Sequence, residues 1–178
     1  MTHGLSLTIL RVPWFHGGMN PPMRQIDFYR MVLAGNFPLP GQGSNLRSVL
    51  NVTNLAISID ALITRWIPGI YWLSDLELPT FKEYLNIIQS VGLEIGLPVA
   101  GKPFVRVPRG FSALARRFDA ILQSVGFYNQ KIHVIGELDQ DIFGDPSEFL
   151  LTFSPEGYIP LRKAVLGSLL AAKERNLI

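Results

Sequence analysis

A β-type run, Leu5-Ser-Leu-Thr-Ile-Leu-Arg-Val-Pro13, begins four residues after Met1 and leads into an aromatic, glycine-rich turn, Trp14-Phe15-His16-Gly17-Gly18. No other element is expected ahead of it. The strand is expected over Leu5 to Val12 and a loop over Pro13 to Pro22. From Met23 to Ala34, apolar Met23, Ile26, Met31 and Ala34 follow a helical rhythm that Gly35 ends. Phe37 to Asn45 is turn-rich, and Ser48 to Val52 reads as a short strand. Thr53 or Asn54 can cap a helix from Leu55 to Trp66, which Pro68-Gly69 closes.

Ile70 to Leu73 reads as a further strand. Thr80, with Glu83 three residues on, forms a capping box for a helix from Phe81 to about Gly92. Gly92 to Pro108 is punctuated by proline and glycine and is expected to be a loop. Phe111 to Val125 predicts an amphipathic helix with Phe111, Leu114, Ala115, Phe118, Ile121 and Leu122 on one side. A polar turn region follows near Asp139 to Pro146, then a short segment to Phe153 and a last helix from Leu161 to Lys173. The order is mixed α/β with few strands.

At 178 residues the chain fits one domain and can bury roughly 70% of its unfolded surface. Its hydrophobic share is 48% and only 17% is charged, with a mean hydropathy of +0.24, an apolar surplus that implies a face meant to be covered. Homodimerisation is one way to cover it. No stretch approaches the roughly 18 apolar residues of a membrane span, so no membrane partner is expected. Sixteen basic against fourteen acidic residues give a net +2, too balanced to imply nucleic acid. The start, Met-Thr-His-Gly, has no signal-peptide character, which points to the cytoplasm and makes the Asn51-Val52-Thr53 sequon coincidental. With no cysteine and no ligand spacing among His3, His16 and His133, neither thiolate chemistry nor a metal site is expected.

Three segments carry a resemblance. Arg11-Val12-Pro13-Trp14-Phe15-His16-Gly17-Gly18 is similar to Arg-Pro-x-x-x-Tyr-Gly-Pro, departing at Val12, His16 and Gly18. Gly41-Gln42-Gly43-Ser44-Asn45-Leu46-Arg47-Ser48-Val49-Leu50-Asn51-Val52-Thr53-Asn54-Leu55-Ala56 is similar to Gly-x-Gly-x-x-x-Arg-x-x-Val-His-Val-x-Asp-Leu-Ala. Asp145-Pro146-Ser147-Glu148 and Pro155-Glu156-Gly157-Tyr158-Ile159-Pro160 are similar to Asp-x-Ser-Lys-Ala and Leu-Gly-Tyr-x-Pro. Together, from about residue 4 to residue 173, they resemble the C-terminal, substrate-binding part of an extended short-chain dehydrogenase/reductase, the NAD-dependent epimerase/dehydratase family. The implied fold is α/β: the C-terminal part of a Rossmann-like enzyme, with few strands and a mainly helical substrate lobe, forming one substrate-binding region over residues 1–178.

The resemblance implies NAD- or NADP-dependent conversion of a nucleotide-linked sugar by hydride transfer at the cofactor. It implies that Arg47 holds a nucleotide diphosphate, to which a planar guanidinium fork is suited. Asn51, Arg11, His16 and Arg109 are the other candidate substrate contacts, and Pro13 and Trp14 the candidates on the cofactor side. Gly41-x-Gly is not a dinucleotide fingerprint: it lacks the third glycine and leads to a strand. None of Tyr29, Tyr71, Tyr84, Tyr128 and Tyr158 is followed by lysine four residues on, so the family's Tyr-x-x-x-Lys pair is not in this sequence and no catalytic residue is assigned.

The expectation is therefore a substrate-binding portion that is inactive and cofactor-free alone, with a separate chain able to supply the dinucleotide-binding half. The alternatives are a non-catalytic ligand-binding or scaffold module, or part of a sterol- or flavonoid-type reductase relative. A basic stretch, Lys102, Arg106, Arg109, Arg116 and Arg117, can line an anionic site, dock an acidic partner or form a solvated face. Trp14, Phe15, Trp66 and Trp72 are expected in the core.

Overall fold

The computed structural model describes residues 6–18, 20–102 and 104–178, with the side chains of Arg109 and Lys131 outside the description. Leu5, the expected start of the first strand, and His3 also lie outside the described residues. Among the described residues the elements are β1 (Thr8–Arg11), β2 (Trp14–His16), α1 (Met23–Leu33), β3 (Pro38–Pro40), β4 (Val49–Asn51), α2 (Val52–Thr64) and β5 (Gly69–Trp72). There follow α3 (Phe81–Glu94), β6 (Val105–Val107), α4 (Arg109–Ser124), α5 (Gln130–Glu137), α6 (Ser147–Phe153) and α7 (Leu161–Glu174). The chain is α/β, with short strands paired two by two, all parallel, and helices making up most of the rest. No helix among the described residues is long and apolar enough to cross a membrane.

The chain forms two compact units. The first comprises the described part of Met1–Ile26 with Ser48–Leu78 and Ile142–Ile178. In it β1 pairs with β5, from Thr8 opposite Gly69 to Arg11 opposite Trp72. The pleat sends alternate residues to opposite faces. Leu10 and Tyr71 join a core with Leu50, Leu73 and Phe149, and α6 closes it through Phe149 and Phe153, whose rings lie 5.8 and 5.2 Å from that of Tyr71. The other face carries Ile9, Ile70 and Trp72, all exposed.

Trp66 and Phe15 are exposed as well and Trp14 is half-buried, so the four aromatic residues expected in the core are not in it. Their indole and phenyl rings count as apolar in any composition, but burial is decided by the face of a strand that Trp14, Phe15 and Trp72 occupy and by the loop after α2 that holds Trp66. β2 lies where a loop was expected and pairs with β4, Trp14 opposite Val49 and His16 opposite Asn51. Three residues are too few for alternation to show in a sequence. Helix α2 starts at Val52, capped by Asn51 and not by Thr53 or Asn54: Asn51 Oδ1 accepts from Thr53 N–H at 2.8 Å.

The second unit comprises Asp27–Arg47 and Pro79–Asp141. Helix α1 ends in this unit on a Schellman motif: Asn36 N–H bonds Met31 O and Gly35 N–H bonds Val32 O, with Gly35 at φ +64°. The expected capping box is present, Glu83 N–H donating to Thr80 Oγ1 and Thr80 N–H to Glu83 Oε2. Phe28, Phe37, Phe81 and Tyr84 form an aromatic nest, with Phe28 and Phe37 edge to face at 5.0 Å. β6 pairs with β3 inside two segments read as turn and loop, because proline at Pro38 and Pro40 hides the strand. α5 carries too short an apolar pattern to be read from sequence.

Candidate functional site

The densest buried polar grouping among the described residues lies in the first unit, where β2, β4 and β5 reach their C-terminal ends. This is the edge at which parallel α/β sheets place their chemistry. Its centre is Asp75, which follows β5 by three residues and is 1% exposed. Asp75 Oδ1 accepts from the Asn51 backbone N–H at 2.9 Å and from Asn54 Nδ2 at 2.7 Å. Its Oδ2 lies 2.6 Å from His16 Nε2. With the carboxylate serving as acceptor throughout, His16 carries its proton on Nε2 and donates it. His16 closes β2 and Asn51 closes β4, and the parallel register that sets them opposite each other brings both to the carboxylate.

Asn54 extends the cluster to the residues before α7. It donates from Nδ2 to Ile159 O at 3.0 Å and accepts from Ile159 N–H at 2.8 Å, a reciprocal amide pair that pins the Tyr158-Ile159-Pro160 turn. Ser58, one turn along α2, shares a hydrogen bond with the Tyr158 hydroxyl. Burial raises the Tyr158 pKa and nearby Asp75 adds to the rise, outweighing the Ser58 hydrogen bond, so this tyrosine stays a phenol. Gly17 is required by the same geometry. At φ +91° its absent side chain leaves room for the Asn51 amide, whose Nδ2 would lie 2.1 Å from a Cβ there.

The sequence-derived candidates distribute as follows. His16 and Asn51 share the Asp75 cluster. Arg11 sits in the same unit, exposed at the end of β1, its guanidinium carbon 5.4 Å from the Trp72 ring centre. Pro13 and Trp14, both half-buried, join that strand to β2. Arg47 belongs to the second unit and is buried: Nη2 donates to Glu137 O at 3.2 Å and the guanidinium carbon lies 5.2 Å from the Phe81 ring centre. Burial lowers its pKa, against which Glu137 and Asp141 act. Arg109 opens α4, and its side chain lies outside the described residues. Sequence reasoning missed Asp75, although a carboxylate just past a strand in Leu73-Ser74-Asp75 is the signal that would have found it.

A dinucleotide needs a glycine-lined helix N-terminus for its diphosphate. In the first unit the helix that follows a parallel strand directly, α2, has its N-terminus closed by the Asn51 side chain. The glycine pair Gly17-Gly18 is packed against Asn51 and Val52. The described residues of the first unit do not form that cradle.

No family model matches the chain. An uncharacterized protein of Sinorhizobium fredii, y4nL, is 39% identical over 144 residues, which is 79% of this chain and 40% of that protein. Among solved structures, the dTDP-glucose 4,6-dehydratase DesIV of Streptomyces venezuelae, with NAD and TYD bound, superposes with a TM-score of 0.63 at 16% identity, over 98% of this chain and 46% of its own. The Bordetella bronchiseptica enzyme WbmG, in complex with NAD and UDP, gives 0.60 at 15% identity over 99% and 47%. The UDP-glucuronic acid 4-epimerase of Bacillus cereus, in complex with NAD, gives 0.61 at 9% identity over 96% and 46%. The chain thus spans less than half the length of the curated relative and of each of these enzymes. The likeness establishes its fold, an α/β fold of the Rossmann-like type shared by NAD-dependent epimerases and dehydratases.

Proposed function

We propose that this chain is the substrate-binding portion of an NAD(P)-dependent nucleotide-sugar epimerase or dehydratase and works only with a dinucleotide-binding half. The observation that carries the reading is the outer face of the β1–β5 pair. Parallel strands are almost always covered on both faces, and two strands alone are marginal. Here one face is core, while the other presents Ile9, Ile70 and Trp72. A larger parallel sheet with its helices is the structure that covers such a face. The solved enzymes, twice as long as this chain, support that reading.

In this reading the partner half, continuous with this chain or separate from it, supplies the cofactor cradle and the acid/base pair. Arg47, Asn51, Arg11, His16 and Arg109 are the candidate contacts for a nucleotide-sugar, with Pro13 and Trp14 toward the cofactor. The test is to read the coding DNA upstream of Met1 for a glycine fingerprint and a Tyr-x-x-x-Lys pair, express that segment with this chain, and assay NAD-dependent conversion of a panel of nucleotide-sugars. Turnover by the pair and not by either part is the expected result. A well-folded pair that binds neither NAD nor any nucleotide-sugar would overturn the proposal.

A further inference from the structure

Helix α4 is oriented against its own amphipathicity. At about 100° per residue, Phe111, Leu114, Phe118, Ile121 and Val125 fall within one narrow stripe. That stripe faces solvent, with Leu114 65% and Val125 75% exposed. The side turned inward carries polar groups, with Ala115 and Leu122 half-buried beside them. Ser112 and Asp119 are buried, Asp119 Oδ2 lies 2.8 Å from His133 Nδ1 on α5, and Arg116 Nη1 donates to Gly136 O and to Asp139 Oδ1 at 2.5 Å. α4 therefore meets α5 partly through hydrogen bonds and leaves the stripe from Phe111 to Val125 outside. The patch continues past the helix end with Phe127 and Tyr128, both more than half exposed.

Charge selects the occupant. From the end of α3 to the end of α5, residues 95–137 hold six basic side chains, Lys102, Arg106, Arg109, Arg116, Arg117 and Lys131, and two acidic ones, Asp119, which is buried, and Glu137, which faces His133. Lys102, Arg106 and Arg117 are exposed, and Arg117 flanks the stripe. A second copy would set this cationic region against itself. A partner helix could follow the stripe along α4 but not past Ser124, where the apolar surface goes on through Phe127 and Tyr128. An amphipathic helix with aromatic and aliphatic residues on one face and basic flanks is the form that lies in a membrane interface.

Against the expectation of no membrane partner, which weighed only segments able to span a bilayer, we propose that α4 with Phe127 and Tyr128 docks this chain on an anionic lipid bilayer, lying in the headgroup region without crossing it. The test is co-sedimentation of the full chain with vesicles of phosphatidylcholine alone and of phosphatidylcholine mixed with phosphatidylglycerol. The chain should sediment with the anionic vesicles and much less with the neutral ones, and added salt should release it. Arg106→Gln and Arg117→Gln should each weaken binding about fivefold, and Phe118→Ser with Ile121→Ser should abolish it.

Because the chain has no cysteine, Phe118→Cys and Ala120→Cys can each carry one environment-sensitive dye, on the apolar stripe and on the opposite side of α4. Only the dye at 118 should shift its emission with anionic vesicles. A chain that stays in the supernatant, equal shifts at both positions, or binding unchanged in the stripe variants would overturn the proposal. So would a dimer that Phe118→Ser dissolves while vesicles remain unbound, which would assign the stripe to a second copy.

Discussion

His16 Nε2 stands 2.6 Å from Asp75 Oδ2 with both side chains buried, tying the last residue of β2 to the loop that follows β5. The same carboxylate holds the N-terminus of α2 through Asn51 and, through Asn54, the turn that leads into α7. Four segments distant in sequence thus converge on one side chain. A buried carboxylate with several donors is costly to remove, because each donor is left without water to replace it.

Asp75→Ala is expected to destabilise the first unit by about 3–5 kcal/mol, the cost of breaking a buried charge-assisted network. Urea unfolding followed by circular dichroism measures it. In a double-mutant cycle with His16→Phe the losses should be strongly non-additive, since both substitutions remove the same bond. Additive losses would show that the pair is not coupled.

Gly17→Ala tests the packing beside this cluster. The substitution puts a Cβ where the Asn51 amide lies and forces a non-glycine residue to φ +91°. Strain of that kind costs about 1–3 kcal/mol before the Asn51 cap is displaced. A thermal melt should fall for Gly17→Ala, and much less for Gly101→Ala, where a Cβ meets nothing within 4 Å.

His133 makes the second unit pH-dependent. Its pKa is raised above the ordinary 6.5, chiefly by the hydrogen bond to Asp119, with Glu137 adding and burial opposing. A group bound more tightly when protonated contributes stability that is complete below pH 6.5 and disappears as pH rises through its folded-state value. Hydrogen exchange of α4 and α5 should therefore be slower at pH 5.5 than at pH 8, after correction for intrinsic exchange, and His133→Gln should remove the difference. The side chain is 37% exposed, so the effect is modest.

Local signals in the sequence carried the helices. The Thr80–Glu83 box and Gly35 after α1 act within a few residues, and the structure uses both. Long-range pairing is what the sequence hides. β2, β3 and β6 are three residues each and exist only because a partner strand lies beside them. At the site, His16 and Asn51 could be singled out, whereas Asp75 acquires its role only when β5 delivers it to residues 59 and 24 positions earlier in the chain. For α4 the periodicity was legible and the direction it faces was not, because an amphipathic pattern fixes a stripe and not what covers it.

Arg47 is the residue on which the proposed nucleotide-sugar site depends most, and its surroundings permit a sharp test. Its guanidinium is buried between the Phe81 ring and the Glu137 carbonyl. Arg47→Ala should cost about 1.5–3 kcal/mol of stability through the lost charged hydrogen bond, whatever the ligand. Arg47→Lys keeps the charge and part of the packing but loses the planar fork, so it separates folding from recognition. The lysine variant should keep most of the melting temperature and lose about tenfold or more in affinity for a nucleoside diphosphate, read by calorimetry on this chain joined to its dinucleotide-binding half. Unchanged affinity in a folded Arg47→Lys protein would remove Arg47 from the substrate site and leave it as the arginine that holds α5 to the segment before β4.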